Sequence, residues 1–170
     1  MATTDRMQPR LGSTDSSRLT LGAVLVAFAG VGLVGYGILF LIRNFIGFTE
    51  LGLSPRQVGG TPEQIRSFSP DLYEYISHLH MAISGLLIAL GITVVALAWY
   101  GIRRGQRWAL WTVLLSSVAA LAVVIPPHYA FGIGTLGHLG PIYLDALLLV
   151  SGTVVAYTAL PRGITSSRSL

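Results

Sequence analysis

The chain contains no cysteine and no lysine, and only 11% of its 170 residues are charged. Each absence removes a class of chemistry. Without cysteine there are no disulfides, thiolate metal ligands, thiol nucleophiles or cysteine-held iron–sulfur clusters. Without lysine there is no Schiff-base or lysine-base catalysis, and all 11 cationic side chains are arginine. The shortage of charge says most about class, because soluble domains average about 25% charged residues. With 52% hydrophobic residues and a mean hydropathy of +0.67, the composition is that of a membrane protein.

Crossing a hydrocarbon layer of about 30 Å takes roughly 20 mainly apolar residues at about 1.5 Å each. Four stretches qualify, at about 19–42, 72–100, 108–125 and 138–160, the third being the shortest. The apolar run of the first continues past "AFAG" (27–30) to Ile42, beyond the roughly 7–15 residues of a signal-peptide core, so the helix is expected to be retained. "GVGLVG" (30–35) matches a dinucleotide-binding pattern. That motif needs a strand before it and a βαβ unit around it, and here it lies inside a membrane span. Gly22, Gly30, Gly32, Gly35 and Gly37 are better read as places for close approach by a neighbouring helix. The expected fold class is all-α, an antiparallel four-transmembrane-helix bundle forming a single domain over 18–161. A disordered cytoplasmic N-terminus (1–17) and a disordered cytoplasmic tail (162–170) flank it, and an external loop occupies 44–71.

The arginines set the orientation. Arg6, Arg10, Arg18, Arg103, Arg104, Arg107, Arg162 and Arg168 fall on one side of an even number of spans, whereas Arg43, Arg56 and Arg66 share the other with Glu50, Glu63, Asp71 and Glu74. Short arginine-rich segments stay in the cytoplasm, so a multi-pass protein of the cell membrane with both termini cytoplasmic is expected. Trp99, Tyr100, Trp108 and Trp111 flank the "GIRRGQR" link at 101–107, as amphipathic rings do at a headgroup boundary. The arginines form no basic face, so the lipid bilayer is the expected partner and nucleic acid is not. In the external loop, "TPEQIRSF" carries an N-cap threonine and a proline at the first helical position. "SPDLYEY" repeats the signal, so the second membrane helix should begin near Pro70.

All four histidines then fall at the external end, with His78 and His80 on the second span, His128 in the connection after "IPP", and His138 opening the fourth. Counting back about 20 residues from Leu160 puts the hydrocarbon boundary near Pro141, so Asp145, the one acidic residue expected inside it, is about 6 Å deep at about 1.5 Å per residue. An ionisable group there is a functional-site hypothesis, and it needs protonation, a water-filled cleft or a partner such as His80 or His128. Residues i and i+2 of a helix are about 200° apart, so His78 and His80 take different faces. His80 shares one with Tyr73, Ser84 and Gly91, which is expected to turn inward.

Three functions fit these residues. The first is a non-catalytic membrane subunit or small-ligand-binding protein, working with other membrane subunits or as a homo-oligomer. Its external pocket would be lined by His80, His128, His138, Tyr143 and Asp145, with Glu74 and His78 at the rim. The second is a redox protein in which haem b or a transition metal is held among His78, His80, His128 and His138, although no metal-ligand spacing supports it. The third is a proton-coupled transporter or membrane enzyme using His80 and Asp145 as acid and base. No enzyme-specific motif accompanies them.

Overall fold

The structure, a computed structural model, describes residues 13–47 and 52–160. It is all-α: α1 (Ser13–Ile46), α2 (Pro55–Val58), α3 (Pro62–Phe68), α4 (Pro70–Ala96), α5 (Arg107–Ala130) and α6 (Leu136–Ala159). Helices α1, α4, α5 and α6 are each long and apolar enough to cross a membrane, so the chain folds as a four-helix membrane bundle. The disorder expected for 1–17 and 162–170 falls outside the described residues, apart from 13–17, which form the beginning of α1.

Local sequence sets the helix ends. Thr61 Oγ1 accepts from the Gln64 amide at 3.3 Å while Gln64 Oε1 accepts from the Thr61 amide at 2.8 Å, a reciprocal cap that starts α3. At the far end of α3 the Ser69 hydroxyl accepts from the Leu72 amide at 3.2 Å and Pro70 opens α4. At its other end α4 does not stop near residue 100. It continues through a π turn (Leu97–Gly101) and a 3-10 turn (Ile102–Arg104), until Gly105, at φ 73°, reverses the chain. The link to α5 therefore reduces to Gly105 and Gln106.

The third span ends differently from expectation. It was predicted to end near residue 125 with His128 in a loop, but α5 carries Pro126 and Pro127 inside the helix and reaches Ala130. Proline fixes a helix-compatible φ while removing its own amide donor. Two prolines near the C-terminus leave the carbonyls of Ala122 and Val123 without amides and still permit a final turn. His128 stands in that turn, with Nδ1 2.6 Å from the Val124 carbonyl oxygen. Because a carbonyl only accepts, that contact requires the proton on Nδ1.

Helix α1 is the centre of the bundle. It packs along α4 on one side and α6 on the other, whereas α5 is held by α6 and by the π and 3-10 turns that extend α4. Backbone approaches at glycine make both crossings. A Cβ on Gly22 would lie 2.7 Å from Gly152 O and from Ala156 N on α6, and one on Gly30 would lie 2.8 Å from Gly91 O on α4. The buried core, including Leu19, Val26, Ile102, Leu110, Val113 and Ala156, lies toward the end where the arginine turn reverses the chain. Beyond Val113 no residue of α5 is buried.

Candidate functional site

Where α5 stands away from α1, a cavity of about 410 Å³ opens between α1, α5 and α6. Its walls are apolar, with Phe28 and Leu33 from α1, Leu90 from α4, Leu114 and Leu121 from α5, and Leu148 from α6. Tyr36, Ser117 and Asp145 are the polar side chains among the described lining residues, and Asp145 is the only charged one. Glycine makes the seat for its carboxyl group, since a Cβ on Gly32 would lie 2.9 Å from Asp145 Oδ1. Gly35, the next glycine along α1, lines the same cavity and has open space where a Cβ would project. Of the five glycines read from the sequence as approach points, Gly22, Gly30 and Gly37 meet neighbouring helices, whereas Gly32 and Gly35 face this space.

Among the described residues, no hydrogen bond or ion pair reaches the Asp145 carboxyl group. The two histidines expected as its partner are engaged elsewhere. The His80 ring lies 4.7 Å from that of Phe40 on α1, and the Ser84 hydroxyl donates to the His80 carbonyl at 2.7 Å. His128 is turned toward the Val124 carbonyl and toward His138. An isolated ionised carboxylate is costly in apolar surroundings, and a cation brought from outside the chain would remove that cost.

A separate polar cluster occupies the tip of the α5–α6 hairpin. The rings of His128 and His138 are 5.0 Å apart at 33°, and the hydroxyl groups of Tyr129 and Tyr143 are 2.6 Å apart. Thr135 caps α6 by accepting from the His138 amide at 3.3 Å, and His138 is buried, with 1% exposure. Gly52, at φ 77°, packs its backbone against Gly137 and His138, a contact that a side chain would prevent.

The residues read from the sequence as a pocket are therefore distributed over three places. His128, His138 and Tyr143 come together at the hairpin tip. His80 sits between α4 and α1, with His78 and Glu74 exposed on other faces of α4. Asp145 lines the cavity, which includes none of the four histidines. Among the described residues no three His, Asp or Glu side chains converge in a way that could hold a metal ion. Two neighbouring imidazoles fall short of the three or four protein ligands of a zinc site.

Sequence reasoning missed Asn44. It is buried near the end of α1, its Nδ2 donates to Ser77 Oγ at 2.9 Å, and its Oδ1 has no hydrogen-bond partner among the described residues. A second cavity of about 440 Å³ lies beside it, lined also by Glu63, Arg66 and Tyr73. Arg66 covers the Tyr73 ring at 4.2 Å. The Glu63 carboxyl group is held below its ordinary range, first by its own backbone amide, then by the Thr61 hydroxyl and the charge of Arg66. The available signal was a lone amide in the apolar segment "ILFLIRNFI". Gly32, Tyr36 and Ser117 were missed because nothing in sequence spacing pairs them with Asp145.

At the opposite end, Arg103 lies 4.4 Å over the Trp99 ring and Arg104 lies 5.7 Å from that of Tyr100. Trp108 Nε1 donates to Gln106 Oε1 at 2.6 Å. These exposed rings and cations form a collar around the arginine turn. No family model, curated protein or solved structure matches the chain.

Proposed function

We propose that this small integral membrane protein is a non-catalytic binding protein whose site is the cavity between α1, α5 and α6, with Asp145 as its polar anchor. The observation that carries the reading is the combination of about 410 Å³ of apolar-walled space with one carboxyl group that has no partner in the described chain. Small-molecule sites combine these features, being concave and mostly apolar with a few orienting polar groups. The cavity-lining residues Pro141 and Ile142 lie about one helical turn from His138 on α6. The hairpin cluster of His128, His138 and Tyr143 is thus the polar approach to the cavity, while His80, His78 and Glu74 form the α4 side of the same end.

A neutral fluorescent probe tests the site. The protein, embedded in phosphatidylcholine nanodiscs, should bind 1-naphthylmethanol saturably above the background of empty discs, and Gly35→Leu should remove that binding by filling the cavity. Unchanged saturable binding in Gly35→Leu would sink the assignment.

The arginine distribution further supports insertion in the cell membrane with both termini cytoplasmic and the histidine end outside. The absence of cysteine makes this simple to measure. Arg56→Cys should react with a membrane-impermeant thiol reagent on intact cells, and Arg104→Cys only after permeabilisation. The reverse pattern would invert the topology.

A further inference from the structure

We infer that the cavity takes a hydrophobic amine in its protonated form, with Asp145 as the counter-ion. This rests on the cavity being the binding site and assigns the chemistry of its occupant. The walls dictate an apolar body, because almost every lining side chain is aliphatic or aromatic. The volume, toward the lower end of the roughly 300–1,000 Å³ of small-molecule sites, limits that body to one or two rings or a short chain.

The head group follows from charge. No arginine lines the cavity, and no described side chain forms an ion pair with Asp145. A ligand that brings its own cation removes the cost of an unpaired carboxylate, and its N–H groups give charge-assisted hydrogen bonds that an alcohol cannot match. An anionic head would face repulsion in a low-dielectric site. Tyr36 and Ser117 supply hydroxyl groups for the remaining N–H donors. Gly32 contributes by omission, leaving the carboxyl group room to lie against α1 beside the open space at Gly35.

The experiment compares 1-naphthylmethylamine, protonated at neutral pH, with its neutral isostere 1-naphthylmethanol. Both are titrated against the full chain in phosphatidylcholine nanodiscs, and monodispersity and thermal unfolding are followed for every variant. The amine should bind at least tenfold more tightly than the alcohol. Asp145→Asn should bring the two within about twofold of each other, and Gly32→Ala, which crowds the carboxyl group without removing its charge, should narrow the gap several-fold. Should Asp145→Asn fail to fold, the Gly32→Ala result decides alone. Equal binding of amine and alcohol to the unaltered chain, a preference that survives Asp145→Asn, or an undiminished gap in Gly32→Ala overturns the inference while leaving the site itself intact. Loss of saturable binding for both probes in the unaltered chain condemns the site instead. Adding phosphatidylethanolamine to the discs separates the sources of the amine. Competition by that lipid supports a headgroup amine as occupant, and its failure to compete supports a free one, provided that the amine preference holds.

Discussion

At the arginine end of the bundle, α1, α4, α5 and α6 converge on Leu19, Ile102, Leu110 and Ala156, all buried, and backbones touch at Gly22–Gly152. Toward the histidine end, α5 has no buried residue past Val113 and a cavity replaces the core. The cavity walls, like the core, are mostly aliphatic and aromatic, so apolar side chains alone do not close the helices together. Lipid tails are as apolar as leucine, and helices in a membrane associate by close packing of small residues and by polar contacts. Where glycines face glycines the helices meet. Where Gly32 and Gly35 face a carboxyl group and empty space, they remain apart.

Substitutions at these two sets of glycines should break or sharpen that contrast. The largest effect is expected at the crossing. A Cβ on Gly152 would already lie 2.8 Å from Gly22 O and 2.9 Å from Leu25 Cβ, so Gly152→Leu should destabilise the bundle by about 3 kcal/mol or more, the upper part of the overpacking range. Thermal unfolding in detergent measures this, and a melting point unchanged from that of the parent would remove the crossing from the argument. Gly35→Leu, on α1, should instead leave stability equal or raise it by up to about 1 kcal/mol through helix propensity. Comparable destabilisation by both variants would erase the distinction between packed and open regions.

Smaller effects are expected in the polar groups. Tyr143→Phe removes the 2.6 Å contact with Tyr129, a small loss because both hydroxyl groups can bond water instead. The loss should be local, seen as faster amide exchange around 128–138 with little change at the arginine end. The smallest change concerns α3. The folded-state pKa of Glu63 is lowered from its ordinary 4.5, so its contribution is complete above that value and is lost as pH falls through the lower folded-state value. Glu63→Gln should therefore speed exchange in 62–68 slightly at neutral pH, match the parent in acid, and so flatten the acid dependence.

Hydropathy made the four spans legible, and capping residues made α3 and the start of α4 legible, because both signals are local. The central position of α1 was not, since five glycines read alike until the partner of each is known. Pro126 and Pro127 look like a helix terminator, but their effect depends on how much helix follows, and one turn is little enough. The neighbourhood of Asp145 was the hardest to foresee. Its depth followed from counting residues, whereas its placement against Gly32, away from every histidine, depends on how α6 rotates against α1. His128 and His138 meet only because α5 extends into the tip of its hairpin.

The central place of α1 also bears on how the bundle is made. Ribosomes deliver α1 first, yet the surfaces that complete it, Gly91 on α4 and Gly152 on α6, lie about 60 and 130 residues later in the chain. Until the last helix arrives, one glycine-lined side of α1 faces lipid with nothing to grip. Assembly must therefore wait until α6 has been synthesised, and a nascent chain cut after α5 would hold a pair of helices with a third tethered only at its base.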